Sequence, residues 1–125
     1  LQLRPERETD DPVVEALLDA AFGPERKRKI SYRYREGIDR VADLCWVAEE
    51  AERIVGTIRY WPIRLAESPA LLLGPVATDP SRRAIGIGRA LVFETLARAA
   101  DLGWTLVFLV GDEAYFGGSA SPEFR

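Results

Sequence analysis

The chain has 125 residues, 47% hydrophobic and 30% charged, with a formal net charge of −3; that length supports one hydrophobic core and is short for two. The acidic balance, with a pI near 5.1, argues against broad attraction to nucleic acid or to anionic lipid. A single cysteine and the lack of histidine exclude an intrachain disulfide, a Cys/His zinc site and a serine-histidine triad by inventory.

No apolar run approaches the length needed to span a bilayer. The charged start LQLRPERETDD has no secretory signal pattern, so a cytoplasmic location is expected. In chain order, Leu1 to Arg4 reads as a short strand, and Asp11-Pro12 as a helix start with Asp11 as cap and Pro12 at the first helical position. Val13, Val14, Leu17, Leu18, Ala21 and Phe22 then form one apolar stripe that stops at Gly23-Pro24. From Glu25 to Glu36 the chain is basic and aromatic and reads as a second helix, whose charges are those of a solvated face.

Leu44 to Ala48 and Ile54 to Ile63 are β-branched and aromatic, and the polar turn Glu49 to Arg53 between them predicts a hairpin. The turn's glutamates read as solvated rather than catalytic. Trp46, Trp61 and Trp104 read as packing residues and Cys45 as a small buried hydrophobe. Leu71 to Thr78 is the next strand, and Gly74-Pro75 within it predicts a bulge, because proline cannot donate to a ladder and glycine bends one. A helix follows from Gly88, with Leu91, Val92, Thr95, Leu96, Ala99 and Leu102 as its buried face and Gly103 as its end. Leu106 to Val110 reads as a fully buried strand. Strand, helix and strand in that order make a right-handed βαβ unit, joined here to antiparallel hairpin strands. The expected fold is one α/β domain over residues 1–125 with a mixed central sheet.

Between the bulged strand and the helix lies Arg83-Ala84-Ile85-Gly86-Ile87-Gly88. It offers a cation, two positions without side chains and the unpaired NH groups of a helix start, which together suit a phosphate or diphosphate. A Rossmann dinucleotide site would want three glycines directly after the first strand and an acidic residue ending the second, and neither is present.

Arg83 to Gly88 resembles the signature of the GNAT superfamily of acetyl-CoA-dependent N-acyltransferases: Arg or Gln, two residues, Gly, one residue, then Gly or Ala. Leu73-Gly74-Pro75 and Gly111-Asp112-Glu113-Ala114-Tyr115 are similar to segments of its YhbS-like branch. The resemblance implies a GNAT-like sheet with flanking helices and direct acetyl transfer from acetyl-CoA to a primary amine of a small molecule or peptide. It also implies no metal and no nucleic-acid or membrane partner. Pantetheine would pair with Val76, Ala77 and Thr78, and the pyrophosphate would lie on Arg83, Ala84, Gly86, Ile87 and Gly88, with Arg89 as a further contact. The family's acid is a tyrosine; Tyr115 is the candidate, while Phe116 falls at the aligned position and has no proton to give. The family's last strands have no counterpart after Gly118, so a truncated acyltransferase-like domain, a homodimer supplying the edge, or a CoA-binding module of weak activity are the alternatives.

Overall fold

The structure, a computed structural model, describes residues 1–23, 39–81 and 86–109. Its elements are β1 (Gln2–Pro5), a 3-10 turn (Glu8–Asp10), α1 (Asp11–Phe22), a 3-10 turn (Ala42–Leu44), β2 (Trp46–Glu50), β3 (Arg53–Leu65), β4 (Ser68–Thr78), α2 (Ile87–Asp101) and β5 (Val107–Leu109). The five strands form one sheet in chain order, antiparallel from β1 to β4 and parallel between β4 and β5. The expected mixed sheet with a strand-helix-strand unit is therefore present. The expected helix over Glu25 to Glu36 lies outside the described residues.

The two helices cover two faces of the sheet. On one face Val14, Leu17 and Leu18 of α1 pack with Val47 and Ala77. On the other, Leu91, Val92 and Ala99 of α2 pack with Trp46, Val55, Ile58, Tyr60, Leu71, Leu73 and Val76. Val13 and Leu102 were expected in the buried stripes and are both exposed. Val13 lies off the 14-17-18-21 line that faces the sheet, and Leu102 follows the last helical residue, where the chain turns at Gly103 with φ 95°.

Residue pattern explains most element ends. α1 stops at Gly23, whose φ of 89° no β-carbon would favour, with its NH donating to the Asp19 carbonyl at 2.8 Å. The cap position is Asp10, one residue before the expected Asp11, and its carboxylate makes no cap bond. Instead it accepts a two-pronged grip from the Arg4 guanidinium at 2.8 and 3.1 Å and the Arg7 NH at 2.7 Å. The fork joins opposite charges through two bonds, where a cap would give the carboxylate a single backbone NH. Glu49 closes the same cluster on Arg4 at 3.3 Å, so it is held in an ion pair and is not a free base.

The β2–β3 hairpin turns through Ala51 and Glu52, with φ of 51° and 65° between the paired Glu50 and Arg53. Both central residues are left-handed, as a primed turn requires to match strand twist, yet neither is glycine. β5 corrects one expectation: it begins at Val107, not Leu106, and it is not fully buried, with Phe108 42% exposed. It borders the described sheet, so Val107 and Leu109 face the α2 core while Phe108 points away from it. Among the described residues no helix is long and apolar enough to cross a membrane.

Arg4 holds the Asp10 carboxyl below the usual carboxylate range. A depressed native pKa gives stability that is full above the unfolded value, near 3.9, and lost as pH falls through the native one. Wild type is therefore expected to be more stable than Asp10→Asn at pH 6, with the gap narrowing towards pH 3. Urea unfolding of both proteins across that range measures it, and a gap independent of pH would contradict the ion-pair account.

Candidate functional site

The site begins with a register shift. Ile58 pairs with Val76 and Tyr60 with Leu73, so β4 carries one more residue than β3 across this interval and Arg59 has no Cα partner. The extra residue falls at Gly74-Pro75, where the bulge was expected, and the peptide between them is cis. The Leu71 NH donates to the Leu106 carbonyl at 2.9 Å, so before the bulge Leu71 and Leu73 turn their backbone towards β5. The Asp79 NH donates to the Val55 carbonyl at 2.8 Å, so after the bulge Ala77 faces β3 and the NH groups of Val76 and Thr78 face away from it. Among the described residues, β4 pairs with β5 from Leu71 to Leu73. Among the described residues, the β4 edge beyond the bulge thus has no strand partner. Val76, Ala77 and Thr78 are buried, at 0, 1 and 3% exposed.

From the end of β4 the chain is anchored before it reaches α2. Asp79 accepts the Ser81 NH at 3.0 Å and the Ser81 hydroxyl at 2.8 Å, and its other oxygen takes Arg53 at 2.8 Å. The two Ser81 bonds and the Arg53 charge keep the Asp79 carboxyl below its ordinary range. Gly86 caps α2 with φ 74°, and a β-carbon there would meet nothing within 4 Å, so the space beside the helix start is open. The first helical bond is from the Ala90 NH to the Gly86 carbonyl at 3.1 Å, so the helical ladder starts there and the NH groups of Ile87, Gly88 and Arg89 form the first turn at the helix end. Ile87 also locks this turn to the sheet. Its Cγ2 would lie 2.6 Å from a β-carbon at Gly56, so only glycine on β3 lets the helix sit this close.

Of the residues singled out in the sequence, the structure brings Val76, Ala77 and Thr78 onto one strand segment and Gly86, Ile87, Gly88 and Arg89 onto one helix start. Arg89 is exposed, its guanidinium 5.9 Å from the centre of the Phe93 ring. Arg83 and Ala84 of the loop, and Tyr115 and Phe116, lie outside the described residues. Trp46 is buried, and Trp61 donates from its indole to the Gly74 carbonyl at 2.9 Å, pinning the bulge. Cys45 is buried, and that burial pushes its thiol up to about 11, which leaves it an inert hydrophobe.

Sequence reasoning missed two buried polar residues on β3. Tyr60 turns towards α2 and shares a hydrogen bond of 2.8 Å with Thr95; burial raises its pKa, so it serves as a core anchor and not as an acid. Arg59 turns the other way and is 3% exposed. It donates to Glu6 at 3.2 and 2.9 Å, to Glu15 at 2.6 Å and to Asp11 at 3.1 Å, while Arg40 approaches Glu6 and Asp11 at 3.7 and 3.6 Å. Burial works against the charge on Arg59, and the carboxylates more than offset it, so its pKa is raised. Beside this cluster lies a cavity of about 440 Å³ whose wall includes Glu6, Arg40, Cys45 and Trp61. A charged residue at an inward position of a central strand is the one sequence signal that could have flagged Arg59.

Residues 12–115 match the family model described as the acetyltransferase (GNAT) family. The chain belongs to the GNAT family. It is 29% identical over 117 residues to the uncharacterized N-acetyltransferase YhbS of Escherichia coli, covering 91% of this chain and 69% of that protein. The crystal structure of E. coli YhbS in complex with CoA superposes with a TM-score of 0.74 at 26% identity over 88% of this chain. A GNAT acetyltransferase from Brucella melitensis in complex with acetyl-CoA gives 0.72 at 27% identity, over 91% of this chain and 77% of its own. The chain spans 62% of the solved YhbS chain. These likenesses to GNAT proteins rest on both sequence and fold.

Gly56→Ala places a methyl against Ile87 and Leu91. Overpacking of this kind costs about 1–3 kcal/mol. Urea unfolding should show that loss with an unchanged denaturant slope; a neutral substitution would mean α2 is not wedged against β3.

Proposed function

We propose that this chain transfers an acetyl group from acetyl-CoA to a primary amine, acting as one acyltransferase unit over residues 1–125. The observation that carries this reading is the bulged β4 edge, with the NH groups of Val76 and Thr78 turned away from β3, leading into the α2 helix start at Gly86. Family membership and the CoA and acetyl-CoA complexes of the two similar proteins support it.

The residues present fit such a substrate. Extended pantetheine has amide groups that suit a strand edge without a partner among the described residues, and the turned-out backbone of Val76 and Thr78 supplies the matching donors. The first-turn NH groups of Ile87, Gly88 and Arg89, with the positive end of the α2 dipole, suit the pyrophosphate, and Gly86 leaves room for it. In this reading Arg83 adds a charge and Ala84 a backbone NH to the same group. Bound acetyl-CoA supplies an activated thioester. A backbone NH at the bulge polarises its carbonyl, and the role of protonating the departing thiolate falls to Tyr115. The acceptor is a primary amine of a small molecule or peptide.

Free-thiol release from acetyl-CoA across a panel of simple alkylamines, spermidine, kanamycin and lysine peptides tests the transfer. Release well above the rate with water is expected for at least one; calorimetric binding with no turnover on any amine removes the enzyme reading. Gly86→Val keeps the fold, because the added side chain meets open space, but a β-branched residue at φ 74° is strained by about 1–2 kcal/mol. The turn is therefore expected to reshape, with acetyl-CoA affinity falling at least tenfold by calorimetry; retained affinity would move the pyrophosphate elsewhere. Tyr115→Phe should lower kcat by about 10²-fold with acetyl-CoA affinity unchanged. An unaltered kcat would take the acid role from Tyr115.

A further inference from the structure

The cluster around Arg59 sits where the sheet changes register, and the transfer chemistry has not used it. Arg59 is the β3 residue opposite the extra β4 residue. Its neighbours Ile58 and Tyr60 belong to the core on the α2 face, so its side chain stands on the α1 face, as does that of Trp61 two residues on. Trp61 bonds the bulge carbonyl of Gly74 and also lines the cavity. Glu6 has the same double position: it accepts two bonds from Arg59 and forms part of the cavity wall. Arg40, also in the wall, pairs with Glu6 and with Asp11 of α1.

One guanidinium therefore fixes three pieces of chain that are far apart in sequence: the segment after β1 through Glu6, the first turns of α1 through Asp11 and Glu15, and the bulge-bearing part of the sheet. We propose that Arg59 is a positioning residue for the amine acceptor, holding the wall of the 440 Å³ cavity at a set distance from the β4 bulge where the thioester carbonyl would be polarised. The proposal rests on the acetyl-transfer reading. Proximity on this scale is demanding, since a displacement of about 1 Å costs as much as 10²-fold in rate. Lysine at the same place keeps the charge but is a single point donor, and it cannot reproduce the fork that spans Glu6, Asp11 and Glu15.

The charges behind the wall indicate what the cavity receives. Among the described residues, three guanidinium groups, of Arg7, Arg40 and Arg59, stand against five carboxylates, of Glu6, Glu8, Asp11, Glu15 and Asp39. That excess of negative charge suits a protonated amine on its way to the bulge.

The test compares wild type, Arg59→Lys, Glu15→Gln and the control Glu49→Gln, which cuts the separate Arg4 cluster at the other end of the hairpin. Each is measured for urea stability, acetyl-CoA affinity by calorimetry, and steady-state kinetics with the best amine of the panel. Arg59→Lys should keep acetyl-CoA affinity within about twofold while kcat/KM for the amine falls at least tenfold, mainly through KM. Glu15→Gln, which removes one edge of the cluster, folds even where Arg59→Lys does not and should show a smaller loss of the same kind. Glu49→Gln should lose stability without changing the kinetic constants. Variants that are destabilised but kinetically unaltered would overturn the proposal, as would a loss of acetyl-CoA affinity matching the loss of rate. Failure of wild type to bind acetyl-CoA, or to acetylate any amine, would instead strike the transfer reading itself, and the wild-type arm alone reports it.

Discussion

One extra residue on β4 governs the arrangement of this molecule. Before Gly74-Pro75 the strand pairs on both sides, with β3 and with β5; after it, among the described residues, pairing continues with β3. Backbone direction alternates along a strand, so without the insertion the donors turned away from β3 would fall at position 75, a proline with no NH, and at Ala77. The insertion moves them to Val76 and Thr78. It thus replaces a proline that has no NH with usable donors on the edge that faces away from β3. Trp61 fixes the bulge by bonding the Gly74 carbonyl, a group that the broken ladder would otherwise leave unmatched.

The helix start is positioned by a second close contact on the same pair of strands. Gly56 pairs with Thr78 and lies directly under Ile87, the first residue of α2. The end of the bulged strand and the first turn of the helix are thereby referenced to a single point on β3. Asp79 adds a tether to Arg53 at the start of that strand, so the chain leaving β4 is held on both sides of the turn. A site divided between a strand edge and a helix start needs such common support, because independent movement of either part would misplace an extended ligand.

Much of this was legible in local sequence, and the reasons divide by range. Gly74-Pro75 announces a bulge because its two residues break a ladder by their own covalent structure, and Gly23, Gly86 and Gly103 mark turns by the backbone they permit. Burial was legible where a helical stripe was long, as in Leu91, Val92 and Thr95. It failed at Phe108 and Leu102, since a short apolar run does not say whether its strand is central or peripheral, or where a helix ends. The cap of α1 was placed one residue late because Asp10 and Asp11 look alike locally, and Arg4 decides between them. The Arg59 cluster was the least legible part: its carboxylates are 44 to 53 positions away, and nothing within β3 names them.

That cluster also invites a question about why an ion network occupies a place where apolar side chains would pack. Moving a charge from water into the interior costs several kcal/mol after relaxation, and hydrophobic replacements of buried ion pairs are often neutral or stabilising. Stability alone therefore gives weak grounds for an arginine at position 59. What an arginine provides and an apolar residue cannot is direction: three carboxylates from two separate segments are drawn to fixed points around one planar group. Apolar packing at this position would tolerate sliding between α1 and the sheet, whereas the fork does not. Rigidity at the bulge, set from the α1 face by Arg59 and Trp61 and from the α2 face by Gly56 and Ile87, is the property that a strand edge needs to hold a ligand in one register.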